Sequence, residues 1–453
     1  MTTFRKIPDK RHARLLALLC AATYLGSYIT RVNFAAVTVE IIRDMGWAKT
    51  DVAPVTTALF IAYGLGQFIS GYLGDRIPPN RLMVMGLGTS VLLNLAIPLC
   101  STVPQMTVIW AVNGLAQAML WPPIVRILSG YCTPSDYEDA TVIVSWGSSV
   151  GTMLVYLVAP LIISLWGWRA VFFVSSGGAA LIVAAWLTFY PRIVRYAERC
   201  GTVSEAAIHD TAQGKKCSSG TDSANDANSS NSAKAHHKSK TKLPKSLIFV
   251  LGMIMLSVIC LGILRDSITS WLPSYISETF NYGSGSSILS GVIIPLVTTV
   301  IYPQVLAYYR RFFTNELVCA ASIYLMSAAA ALILFFVHSA SPILAVLLLA
   351  LICAGMHAAN FVIIGLVPKR FERYDNVSFI SGLINSFVYV GSSVSIWGIA
   401  AIAQGYGWQT TIAIWCVCAV AGGAFCLAAY RPWARLFAIR PKRETRENRA
   451  RKG

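Results

Sequence analysis

The chain is 453 residues long, 55% hydrophobic and only 13% charged, with a mean hydropathy of +0.60 and a formal net charge of +17. Soluble domains carry about a quarter charged residues, so this chain lacks the charge to cover soluble surfaces of its length. Collagen-like, disordered and disulfide-scaffold classes are excluded as well, because Gly numbers only 33 and the 11 Cys are scattered; the chain reads as a polytopic membrane protein.

Taken in order, residues 1–14 form a basic tail. Apolar runs of the ~20 residues that a bilayer requires follow at 15–40, 54–74, 82–101, 104–128, 140–165 and 169–190. The stretch before Cys20 has the outline of a lipoprotein signal. Leu19 suits that site poorly, however, and the apolar run outlasts a normal signal core, so an uncleaved first helix is expected. Residues 191–245 switch to Ser, Asn, Ala and Lys and read as a disordered cytoplasmic linker. Six more apolar runs occupy 246–272, 285–308, 315–337, 341–366, 376–402 and 408–430, before a basic cytoplasmic tail at 431–453. These runs are continuous rather than alternating, which excludes a membrane β-barrel. The expected fold is all-α, with twelve transmembrane helices in an N-terminal six-helix bundle at 15–190 and a C-terminal one at 246–430.

Charge orients the chain. With both tails and the linker in the cytoplasm, 32 of the 37 Lys and Arg lie on that side, as the positive-inside rule requires. The basic balance is therefore a topology signal, and no nucleic-acid partner is expected. The Cys residues show no CxxC pair, His236 and His237 read as solvated linker residues, and no span holds a nucleophile–base pair or paired carboxylates. No catalytic residue, metal or cofactor is expected.

The two halves echo each other. Arg31 and Arg265 stand 234 apart; at an offset of 240, Gly151 matches Gly391, Gly167 matches Gly407, Trp168 matches Trp408 and Gln117 matches His357. Two six-helix bundles in parallel repeat describe the major facilitator architecture, with binding near the repeat interface. The 2–3 loop agrees: Gly71, Asp75, Arg76 and Arg81 carry a string that resembles that superfamily's loop motif G-x-x-x-D-R-x-x-x-R. Such an acid and its arginines are expected to latch helix ends.

An arginine at a helix centre costs about 2.5–3.5 kcal/mol on the insertion scale. Arg31 and Arg265 occupy comparable places in their repeats, so the duplication brings them together near the pseudo-twofold axis, as a fork-like anion site. The competing account is structural pairing, for instance of Arg265 with Asp266. Tyr24, Tyr28 and Arg31 share one helix face, as do Tyr63 with Gln67, Ser148 with its hydroxyl neighbours, His357 with Asn360, and Asn385 with Tyr389. Each stripe also fits interhelical packing. Apart from Asp266 the span interiors hold almost no carboxylate, which favours exchange of anions over proton coupling; Asp266 and His357 are the candidates for a proton relay.

Several strings resemble the organophosphate:phosphate antiporter family of that superfamily. Asn113 to Arg126 is similar to its helix 4 signature, in which a Gln precedes a Trp-Pro-Pro turn. Arg31 to Phe34 is similar to its R-K-N-F, and Arg265, Trp271, Pro273 and Tyr275 match its R-x5-W-x-P-x-Y spacing in helix 7. The resemblance implies phosphate-binding roles for Arg31 and Arg265, with Tyr24, Tyr28, Tyr63 and Tyr389 lining the cavity. Departures cluster at the same site: Val32 and Gln67 stand where the family has lysines, Ser148 at or beside its histidine, and Ser270 where it has an acid.

The expected function is a secondary active transporter of a small organic anion, a phosphorylated metabolite exchanged for inorganic phosphate by alternating access. The expected setting is a monomer in a prokaryotic inner membrane, with both termini cytoplasmic. Its substrate-binding residues would be Arg31, Arg265, Tyr24, Tyr28, Tyr63, Gln67, Ser148, His357 and Tyr389. Two alternatives stand beside it: a proton-coupled organic-acid symporter, and a transporter-like membrane sensor of sugar phosphates.

Overall fold

The computed structural model describes residues 4–47, 49–200, 202–203, 245–280, 293–374 and 376–439. Six spans precede the linker: α1 (Lys10–Met45), α2 (Lys49–Gly74), α3 (Pro79–Ala96), the stacked pair α4 (Val103–Ala118) and α5 (Trp121–Tyr131), α6 (Pro134–Trp166) and α7 (Trp168–Cys200). Six follow it: α8 (Lys245–Phe280), α9 (Ile293–Phe312), α10 (Glu316–Val337), α11 (Pro342–Asn360) and α12 (Val377–Leu436), whose 60 residues make two spans joined at Gly407. Ten of the twelve are long and apolar enough to cross a bilayer on that ground alone, and α2 and α9 complete the set. Leu99, Phe336 and Ile343 are about three-quarters exposed or more on the outer surface, where lipid rather than water is the solvent.

Local chemistry sets the helix ends. Asp9 caps α1 by accepting from the His12 N–H at 3.0 Å, and Gly46 closes it with φ of 67°. Pro122 and Pro123 lack amide hydrogens, so the fourth span breaks at Met119–Leu120 and restarts with the prolines in the first turn of α5. Beyond Asn360, α11 widens into a π turn over Phe361–Leu366 and then tightens into a 3-10 stretch, Val367–Tyr374.

Three expectations shift. α1 runs from Lys10, so part of the expected tail is helical. α7 continues through Pro191 to Cys200, because Ile193 and Ala197 still face the core; ten residues assigned to the linker are therefore helix. Thr202–Val203 form a short antiparallel pair with Arg5–Lys6, the one sheet among the described residues. The rest of the linker, with His236 and His237, and most of the C-terminal tail lie outside the described residues, as does the start of the run expected at 285–308.

The repeat extends to backbone geometry. Gly167 has φ 78° and ψ 172°, and Gly407 has φ 80° and ψ 173°, a region open to glycine and strained for other residues. The following Trp168 donates to Asp44 at 2.9 Å and Trp408 to Glu278 at 2.8 Å. Asp44 and Glu278 are 234 apart, the same offset as Arg31 and Arg265. Gly151 lets α6 close on Leu25 of α1, and Gly391 lets α12 close on Ile259 of α8 at the same offset. The two arginine-bearing helices are thus seated by matched contacts.

Candidate functional site

Arg31 sits on a polar lattice built from three helices. The neighbouring Thr30 receives a hydrogen bond from Gln117 Nε2 at 2.8 Å on its hydroxyl. Its carbonyl receives two more, from Asn94 at 3.0 Å and Asn113 at 3.1 Å. Asn33 donates to Asn94 at 2.7 Å, Gln117 donates to Ser90 at 3.1 Å, and Ser27 donates to Gln117. All six of these lattice side chains besides Thr30 are buried, so their mutual pairing fixes α1 against α3 and α4. The lattice explains the Asn and Gln in the strings around Arg31 and Gln117. The contributions of Ser90 and Asn94 carry no sequence signal, because they come from α3, some sixty residues along the chain.

Held in this way, the Arg31 guanidinium lies 4.3 Å from the Tyr28 ring centroid and 4.9 Å from that of Tyr63. Its Nη1 is buried without a hydrogen-bond partner. Among the described residues no carboxylate pairs with it.

Arg265 is handled differently. It grips its own neighbour Asp266 in a two-pronged pair, Nε to Oδ1 at 2.7 Å and Nη2 to Oδ2 at 2.9 Å, while Nη1 reaches Asn360 at 3.3 Å. Ser392 of α12 donates to the same Asp266 carboxylate. The pairing weighed from the sequence as a structural alternative is present.

The two arginines lie at one contact between the halves. Tyr28 and Tyr389 lie within electrostatic range of both guanidinium groups. Tyr63 and Tyr389 meet edge to face at 4.6 Å, and Tyr24 meets Tyr28 at 5.2 Å. Ser148 donates to the Ser145 carbonyl at 2.7 Å and lies with Ser149 against the Tyr302 hydroxyl of α9, a residue that sequence reasoning missed. His357 faces Arg265 and Asp266. Of the expected binding residues, Arg31, Arg265, Tyr24, Tyr28, Tyr63, Tyr389, Ser148 and His357 therefore gather around this contact.

Gln67 lies one turn from Tyr63 along the same contact between α2 and α12. Its side chain is fully buried where α2 presses on α12, beside Gly71 and Gly382, and neither amide atom has a partner. Ser70, Ser378 and Ser381 have unpartnered buried hydroxyls in the same two helices. Buried polar groups left unpaired by the protein cost about 1–3 kcal/mol each, a cost that parting α2 from α12 removes by hydration. Gln67→Leu is accordingly expected to raise the thermal transition of the purified protein and slow turnover. A raised KM at unchanged stability would instead put Gln67 in the substrate path.

The contact between halves continues to the face that carries both described termini. Asp75 pairs with Arg126 of α5, both side chains being under a tenth exposed. It also accepts from the backbone N–H groups of Ser378 at 3.0 Å and Phe379 at 2.7 Å, at the start of α12. An anion there matches the helix dipole and its free N–H groups. Gly71 allows the approach, since a Cβ would come within 2.9 Å of the Ser378 carbonyl. The motif's own arginines are elsewhere: Arg76 lies 3.4 Å over the Tyr72 ring, and Arg81 is exposed at the start of α3. Arg126 takes the partner role expected of them. Further ties across this face join Arg310 to Glu138 at 2.7 Å and to Asp139 at 2.8 Å, and Lys6 to Glu372 at 2.6 Å.

Two pseudo-symmetric helix bundles, an arginine and tyrosine cluster between them and a latched face make up a multi-pass, all-helical membrane fold. The chain belongs to the Major Facilitator Superfamily, whose family model matches residues 16–396. It is 30% identical over 153 residues to a probable hexose phosphate transport protein of Chlamydia muridarum, covering 34% of each chain. It is also 30% identical over 164 residues to the glycerol-3-phosphate transporter of Bacillus subtilis, covering 35% of this chain and 37% of that one. The chain thus spans about a third of the length of these relatives. The structure of the proton:xylose symporter XylE bound to 6-bromo-6-deoxy-D-glucose superposes with a TM-score of 0.69 over 92% of this chain and 95% of that one, at 11% identity. The fold and the relatives are those of transporters and not of enzymes. The relatives agree with the likeness to the organophosphate:phosphate antiporters.

Proposed function

We propose that the chain exchanges a small organic anion, a phosphorylated metabolite, for inorganic phosphate by alternating access. One observation carries the reading: two arginines from matched turns of α1 and α8 share Tyr28 and Tyr389 at one contact between the halves, the floor of the proposed cleft, and among the described residues no carboxylate pairs with Arg31. A phosphate group supplies what the cleft lacks, an anion with several acceptors for a planar fork of donors. One chain contributes both arginines, so a monomer suffices. Asp266, the acid that proton coupling would need, is held by Arg265 and Ser392, which supports exchange over symport.

In the proposed orientation the latched face is cytoplasmic, since the described ends of the chain, the helix ends that flank the linker and the 71–81 loop all belong to it, in a prokaryotic inner membrane. Anion binding offsets the repulsion between the arginines and draws the halves together. That lowers the barrier to parting the Asp75, Arg310 and Lys6 contacts on the other side.

The test is uptake of radiolabelled phosphate into proteoliposomes loaded with unlabelled phosphate, with organic phosphates as competitors. Uptake that requires internal phosphate and is blocked by one competitor supports the reading. Uptake driven by a pH gradient without internal anion would replace it with symport. Binding without flux would replace it with a sensor.

A further inference from the structure

Resting on the anion-transport reading, we infer that Asp266 is a specificity residue that sets the charge class of the cargo: the cleft selects singly charged over doubly charged tetrahedral anions. Arg31 and Arg265 each contribute one fixed positive charge. Asp266 is the one carboxylate among the described residues that forms an ion pair with either, and it is paired to Arg265 through both oxygens. The formal sum is one positive charge. The arrangement is lopsided as well. Arg31, from the N-terminal half, offers an uncompensated fork with a buried, unpartnered Nη1. The C-terminal half offers a neutral pair.

Asp266 is not an incidental surface group. Its side chain is a quarter exposed, Ser392 from α12 donates to it, and His357 faces it. The Ser392 hydrogen bond from α12 and the two-pronged pair with Arg265 hold it in place, while Arg265 is anchored to Asn360. A monoanion seated on Arg31 brings this small, poorly hydrated region to neutrality. A dianion leaves a net negative charge beside a fixed carboxylate, and in such surroundings unit charges act over several ångströms. On the C-terminal side the pair presents both donors and an acceptor, which suits a hydroxyl on the organic part of a cargo better than a second anionic group.

The experiment uses the full-length protein in proteoliposomes exchanging labelled phosphate at about pH 7.5, where an ordinary histidine is mainly neutral. The competitors are methanesulfonate and sulfate, tetrahedral anions whose charges of one and two do not change near that pH. In the natural protein methanesulfonate should compete better than sulfate. Asp266→Asn should move that preference toward sulfate by about tenfold, while Asp266→Glu, which keeps the charge, should preserve the natural order. Equal or better competition by sulfate in the natural protein overturns the inference without any variant, so a poorly folding Asp266→Asn leaves it testable. An unchanged preference in folded Asp266→Asn overturns it too. If unlabelled phosphate itself fails to compete, the anion-transport reading falls, and this inference with it.

Discussion

Arg31→Lys is expected to lower phosphate exchange about a hundredfold, the scale of one or two lost charge-assisted hydrogen bonds. The thermal transition should hardly move. Lysine keeps the positive charge, so a change in net charge is not what the variant tests. It replaces a flat fork, set between the Tyr28 and Tyr63 rings, with a point charge on a flexible stem. The lattice that carries Arg31 involves Ser27, Thr30, Asn33, Ser90, Asn94, Asn113 and Gln117 and none of the arginine's own atoms. Folding should therefore survive. Initial rates of labelled phosphate uptake, with thermal unfolding of the same preparation alongside, decide it. Near-normal exchange would mean that the cleft holds its cargo by charge alone, or holds it elsewhere.

Asp75→Asn is expected to shift the chain toward a state open on the termini face by about 2 kcal/mol, roughly a thirtyfold change in population. The carboxylate performs two tasks at once. It neutralises Arg126, which is almost fully buried, and it caps the first turn of α12 through the Ser378 and Phe379 N–H groups. Asparagine keeps the shape and one acceptor oxygen but loses the charge that the helix end and the arginine both use. A cysteine introduced at Ser381, buried beneath this latch, should be labelled by an aqueous thiol reagent faster in the variant, over a background in which the exposed Cys200 and also Cys217, outside the described residues, have been replaced. Unchanged labelling would show that Arg310 and Lys6 suffice to hold the face closed. Arg126→Gln serves as a comparison, because it leaves the α12 cap in place and should have the smaller effect on labelling.

Much of this molecule is legible in the order of its residues. Long apolar runs forced helices in lipid, because no water is available there to satisfy exposed backbone groups. The offsets that related Arg31 to Arg265 and Gly167 to Gly407 reappear as matched φ and ψ angles and as matched Trp–acid hydrogen bonds. Glycine and tryptophan carry such signals because each is used where few other residues serve.

Partner choice was not legible. The loop motif suggested that Asp75 works with Arg76 and Arg81, yet Arg126, some fifty residues away, takes the place. Nothing local ranks three arginines, whereas burial does, since only Arg126 is removed from water together with the acid. Gln67 shares a helix face with Tyr63, but that both are packed against α12 depends on how closely the halves approach. The net charge of the site was undecided for the same reason. Asp266 follows Arg265 in sequence, but adjacent residues on a helix point in different directions, and only the positions of Ser392 and Asn360 turn this pair toward each other.

By itself, then, the sequence determined the solvent, the number of spans, the duplication and the presence of two arginines in lipid, all of which follow from hydropathy and periodicity along one chain. The tertiary structure decided which arginine is paired, which acid is the latch and which polar groups are buried, because those depend on distances between helices that are far apart in the chain.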